Sequence, residues 1–245
     1  MKKTPSYIAK HIRTVLKNGG SAPHTEEVQR FFKHEVQSRG WYTAELRKVA
    51  VRVRRAIIAE NGLPFLLQVA DQLFRGDVLE EKVFAVVMLQ AVVDGFGKAE
   101  FKVFESWLDR VTTWADHDVL VHYLIGPMIA ADSAFLSRPL RWAKARERWH
   151  QRAAAVGLIH CTRQHKNFGD IRRITEILLS SDDDMVRKGL GWLLREAAKA
   201  NPEQTVEYLT TIRHRAPRLV LRTACETLST ATRKRVLAIK RPRQP

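Results

Sequence analysis

Apolar residues recur at helical spacing along nearly the whole chain, and strict two-residue alternation over five or more residues is essentially absent. "EEVQRFFKHEVQ", "LPFLLQVADQLF", "EEKVFAVVMLQAVV", "FKVFESWLDRV", "DIRRITEILL" and "PEQTVEYLTTI" all carry apolar side chains at spacings drawn from i, i+3, i+4 and i+7. That periodicity puts one apolar stripe on each helix and leaves no face for a sheet, so an all-α fold is expected. The punctuation agrees. Pro64 follows "NGL", Asn201-Pro202 opens a helix, and Gly95 and Gly97 mark the end of another.

Short helices joined by short connections suit a globular bundle or a stack of helical hairpins. "EEKVFAVVMLQAVV", "WHQRAAAVGLIHCTR" and "VRKGLGWLLREAAKANP" share a polar or basic start followed by small apolar residues, and they begin near positions 80, 149 and 186. A drifted repeat of roughly 40 residues is expected, the HEAT-like period, whose stacked hairpins form a curved solenoid with a concave face. One repeat domain is expected over residues 1–235, followed by a basic tail over residues 236–245.

Charge narrows the partner. Lys and Arg total 42 against 26 Asp and Glu, a formal net charge of +16. A chain so basic is attracted to polyanions, with nucleic acid first among them. The longest apolar run, "FAVVMLQAVV", is interrupted by Gln90 and is too short to span a bilayer. "MKKTPSYIAKHIRTVLKNGG" lacks the continuous apolar segment of a secretory signal. Cys161 and Cys225 form no CxxC pair, which argues against a zinc knuckle and fits a reducing compartment. A cytoplasmic, nucleoid-associated monomer without a membrane partner is expected.

Three residues stand out by spacing. Trp114, Arg152 and Trp192 are separated by 38 and 40 residues, each beside small residues: Ala115, Ala153 to Ala155, and Gly189 with Gly191. In phase with a repeat near 40, they would occupy equivalent positions on one face, and small neighbours would let something large approach the backbone. Buried core tryptophans are the competing reading. Asp118 lies four residues after Trp114 and would share its helical face. Asp116 is expected to cap the helix or to be solvated. Asp118 and His122 stand at i,i+4, but two ligands are too few for a metal site, no HExxH is present and no Cys is near. No metal and no cofactor are expected.

At these residues the chain resembles the AlkD-type DNA glycosylases, a HEAT-like repeat family that removes alkylated purines. "TTWADHDVL" is similar to the family segment in which a Trp precedes the catalytic Asp by four, although Thr113 stands where the family often has a first Trp. "ERWHQRAAAVGL" resembles the stretch carrying a phosphate-contacting Arg, here Arg152, and "VRKGLGWLLREAAKANPEQTVEYL" resembles the stretch carrying a second active-site Trp, here Trp192. "WYTAELRKVA" resembles a stretch with Thr and Arg spaced by four, Thr43 and Arg47, with Ala44 in place of the family's Pro. The resemblance runs from about residue 25 to 230, and Lys188 lies on the same pattern.

The resemblance implies hydrolysis of the N-glycosidic bond of cationic N3- or N7-alkylated purines in duplex DNA, without base flipping, as a step of base excision repair. Asp118 would stabilise charge on the sugar, Trp114 and Trp192 would flank it, and Arg152, Thr43, Arg47 and Lys188 would contact phosphates on a concave basic face. The alternative is a catalytically inactive HEAT-repeat module that binds DNA, since a fold does not determine a reaction.

Overall fold

The structure is a computed structural model that describes residues 4–162 and 168–238. Among the described residues there are helices and no strand. In chain order the α-helices are α1 (Pro5–Asn18), α2 (Ala22–Gln29), α3 (Thr43–Asn61), α4 (Leu63–Phe74), α5 (Leu79–Leu89), α6 (Lys98–Trp107), α7 (Trp114–Leu120), α8 (Gly126–Ala131), α9 (Ser137–Ala143), α10 (Arg148–Val156), α11 (Ile159–Thr162), α12 (Phe168–Leu178), α13 (Asp184–Ala200), α14 (Pro202–Ile212), α15 (Arg218–Ala224) and α16 (Thr230–Leu237). The chain divides into two compact units, Met1–Met128 and Ile129–Pro245.

In the first unit α5 packs against α3, α4 and α7, and α1 lies on α4. Burial of α5 on nearly every side explains its continuous apolar run, "FAVVML", all of it removed from solvent. Beside it Phe74 and Trp107 stack with ring centroids 4.3 Å apart, and the indole nitrogen of Trp107 donates to Asp71 Oδ1 at 2.9 Å. The polar end of the ring is therefore satisfied inside an apolar core.

In the second unit α13 packs against α10, α15 and α14, while α9 and α12 lie on α10. Alanines 153 to 155 have no exposed surface, which lets neighbouring helices approach α10 closely. A Cβ added to Gly189 would meet Arg152 Cγ at 3.0 Å, and one added to Gly191 would meet Thr223 Cβ at 2.6 Å. The small residues beside Trp192 are therefore occupied by the adjoining helices, not by an outside molecule.

Helices α3, α5, α7, α10, α13 and α15 begin at Thr43, Leu79, Trp114, Arg148, Asp184 and Arg218, so successive starts are 34 to 36 residues apart. The repeat is shorter than the expected 40. Counted from those starts, Trp114 is first in its helix, Arg152 fifth and Trp192 ninth. Their near-equal spacing thus does not put them at equivalent positions; each is one turn deeper than the last. Asn201 caps α14 by accepting from the Gln204 N–H, with Pro202 next, as expected. Of the expected basic tail, residues 239–245 lie outside the described residues, and Val236 is buried within α16.

No single helix among the described residues is long and apolar enough to cross a membrane.

Candidate active site

The residue in register with Arg152 is Asp118. The fifth positions of α3, α5, α7, α10, α13 and α15 are Arg47, Val83, Asp118, Arg152, Lys188 and Arg222. Four are basic, one is apolar, and only α7 presents a carboxylate. Thr43, Arg47, Trp114 and Asp118 belong to the first unit, and Arg152, Lys188 and Trp192 to the second.

The start of α7 is built by a capping box. Thr113 Oγ1 accepts from the N–H groups of Ala115 and Asp116, and the Asp116 carboxylate accepts in return from the Thr113 N–H at 2.7 Å. Thr113, which departs from the resembled family's Trp, is thus the N-cap. Trp114 follows as the first helical residue, 38% exposed, with Phe32 stacked on it at 5.3 Å between centroids. After Leu120 the helix widens into one π-turn over Val121–Ile125.

Asp116 is not solvated. Its side chain has no exposure and pairs at 3.0 Å with Lys82 Nζ, which is itself 1% exposed. Lys82 also donates to the Arg110 carbonyl at 2.5 Å and to Thr112 Oγ1 at 3.2 Å. The same Asp116 oxygen, Oδ2, also takes the Thr112 N–H at 2.9 Å, while Oδ1 takes the Thr113 N–H. A buried charge with every lone pair engaged is held firmly, and here it anchors the turn from which Trp114 and Asp118 project.

Sequence reasoning missed Lys82 and its two neighbours. Glu80 accepts from Ser38 Oγ at 2.6 Å and from the N–H groups of Arg39 at 2.9 Å and Gly40 at 3.0 Å. It thereby fixes the turn before Thr43. Gly40 sits at φ +69°, where a Cβ would meet the Ser21 carbonyl oxygen at 2.0 Å. Glu81 pairs with Arg13 at 2.9 Å and Arg39 at 3.0 Å. The run Glu80-Glu81-Lys82, three charges opening an apolar helix, was the available signal; it ties both α3 and α7 to the first turn of α5.

Asp118 keeps 20% of its side chain exposed, and its Oδ1 lies 2.7 Å from Nδ1 of His117, a side chain with no exposure. His117 is therefore a buried partner of the candidate carboxylate. Arg47 is half-buried, with its guanidinium 5.3 Å from the ring centroid of Tyr123 in the π-turn and Nη1 3.3 Å from Gln90 Oε1. The α3 arginine thus reaches the turn that follows Asp118. Thr43 is exposed as the first residue of α3.

Arg152 is only 6% exposed. Its Nη1 donates to the Met185 carbonyl, because Gly189 leaves room for the side chain to lie across α13. Lys188 is exposed, and Trp192 is half-buried on the same helix. Among the described residues no group of three or more His, Cys, Asp or Glu side chains could hold a metal ion.

The fold is shared with a solved structure described as a "Predicted DNA alkylation repair enzyme from Enterococcus faecalis": the TM-score is 0.77 at 16% sequence identity, over 86% of this chain and 97% of that one. No curated protein matches the sequence significantly. The family model described as DNA alkylation repair enzyme matches residues 12–228. With a match of that extent on a helical-repeat fold, the chain belongs to the DNA alkylation repair enzyme family.

Proposed function

We propose that this protein is a DNA glycosylase that hydrolyses the N-glycosidic bond of cationic N3- or N7-alkylated purines in duplex DNA, without flipping the base. The observation that carries this reading is Asp118, the one carboxylate at the fifth position of the repeat helices, held by His117 one turn after an exposed tryptophan. A module that only binds phosphates has no use for an acid in that row.

The chemistry suits one carboxylate. An alkylated purine already carries positive charge and departs as a neutral base, so no strong general acid is needed. Charge grows instead on the deoxyribose as the bond breaks. A carboxylate about 4 Å away, at an effective dielectric near 20, attracts that charge by roughly 4 kcal/mol. Because the attraction is strongest in the transition state, it is worth about a thousandfold in rate. Asp118 also orients the attacking water. Trp114 and Trp192 offer ring faces to the sugar cation, each worth about 0.5–2 kcal/mol.

Arg152, Arg47, Thr43 and Lys188 serve the phosphates, with the arginine forks suited to two oxygens at once. The protein acts as a monomer on nucleoid DNA in the cytoplasm and needs no cofactor. The test is release of free 7-methylguanine or 3-methyladenine from methylated duplex DNA by the purified protein. Release of methylated bases no faster than their spontaneous loss would sink the reading.

A further inference from the structure

Resting on that glycosylase reading, we infer that the DNA-binding row extends one repeat beyond the residues carried over by resemblance, and that Arg222 on α15 binds a backbone phosphate. The register is the first ground. Arg222 is the fifth residue of α15, as Lys188 is of α13 and Arg152 of α10. Stacked repeats present equivalent positions on one side.

Packing is the second ground. The three helices lie side by side within the second unit, α13 touching both α10 and α15. Direct contacts set their levels to within one turn: Arg152 lies against Gly189, the residue after Lys188, and Thr223, the residue after Arg222, lies against Gly191, three residues after Lys188. Adjacent helix axes run about 8–10 Å apart, so Lys188 and Arg222 form consecutive steps of a cationic row.

Availability is the third. Arg222 is exposed and makes no ion pair with any described residue. The other arginine of α15, Arg218, donates to the Leu237 carbonyl at 2.8 Å. Glu226, four residues on and past the end of α15, is taken by Arg195 at 2.5 Å. An exposed guanidinium with no ion pair to any described residue is available to an anion. The ligand class is the phosphodiester backbone, read without regard to base sequence.

Salt titration tests this. Affinity for an unmodified duplex, measured by fluorescence anisotropy over a range of KCl concentrations, gives a slope of log K against log salt. Each phosphate contact contributes about 0.9 to that slope. Arg222→Gln is expected to lower it by about one contact, weaken binding several-fold at low salt and converge on the parent at high salt. Arg222→Lys is expected to keep the slope, which separates charge from packing. Lys199→Gln, which removes a cation already paired with Glu196 at 2.8 Å, should leave it unchanged. An Arg222→Gln slope equal to the parent's overturns the inference while the glycosylase reading stands. A parent whose affinity is insensitive to salt overturns both.

Discussion

Lys82 and Asp116, 34 positions apart in the chain, meet at 3.0 Å with neither side chain reaching solvent. This pair joins the first turn of α5 to the first turn of α7, and the candidate carboxylate stands on the helix it anchors.

Removing one partner leaves the other charge buried and alone. Lys82→Met is expected to cost about 3–5 kcal/mol in urea denaturation. Lys82→Met combined with Asp116→Asn keeps an acceptor for the cap and removes the orphaned charge. It should lose less than the sum of the two single changes, as interacting neighbours do. A Lys82→Met variant as stable as the parent would show that the pair contributes nothing.

The glycines of α13 separate packing from binding. Gly191→Ala puts a methyl 2.6 Å from Thr223 Cβ. Overpacking of about 1–3 kcal/mol outweighs the roughly 1 kcal/mol gained in helix propensity, so its Tm should fall. Gly189→Ala meets Arg152 Cγ at 3.0 Å and Val156 Cγ2 at an ordinary 3.6 Å, so a shift of a few tenths of an ångström in the Arg152 side chain accommodates it. Its Tm should stay near the parent's while DNA affinity drops, measured on the two variants together.

That distinction was not visible in the sequence. Helix type was legible throughout, because apolar periodicity and caps such as Asn201-Pro202 are local. The repeat length was not: Tyr42, Val78, Glu147 and Pro217 precede their helices without a side-chain cap hydrogen bond, so those starts could not be counted. Counting from Trp114, Arg152 and Trp192 instead gave a period too long by about one turn. The cap at Asp116 was legible from its place in the first turn of α7; its cation was not, because Lys82 lies in a different helix, and neither was the burial of Arg152, which depends on Gly189. The pair Trp114 and Asp118 was legible because both sit in one short helix.

Acid stability should depend on Glu176. The hydrogen bond from Arg215, at 2.5 Å, holds its carboxyl below the ordinary 4.5, against the opposing effect of burial. A carboxyl depressed in the folded state adds stability above pH 4.5 that is lost as pH falls through its folded value. Both side chains are nearly half exposed, so the contribution is at most about 1 kcal/mol. Arg215→Gln should therefore lower stability near pH 7 slightly, and the difference should shrink as pH falls through the folded titration of Glu176. A difference that persists unchanged through that titration would contradict this.

His117 should matter through Asp118. His117→Val removes the Nδ1 contact and is expected to slow base release about tenfold, about 1.4 kcal/mol, with KM little changed. His117→Asn, whose amide can donate from a similar place, should recover most of the rate. Equal rates for His117→Val and the parent would show that the histidine does not position the carboxylate.

The central claim is that Asp118, not Asp116, meets the sugar cation. It is tested most directly by single-turnover release of 7-methylguanine from a methylated duplex by Asp118→Asn, with duplex affinity measured alongside. The expected result is DNA binding close to the parent's and a rate lower by about a thousandfold. Asp116→Asn should lose stability first, with activity per folded molecule far less affected. Full activity in a folded, DNA-binding Asp118→Asn variant would contradict the account.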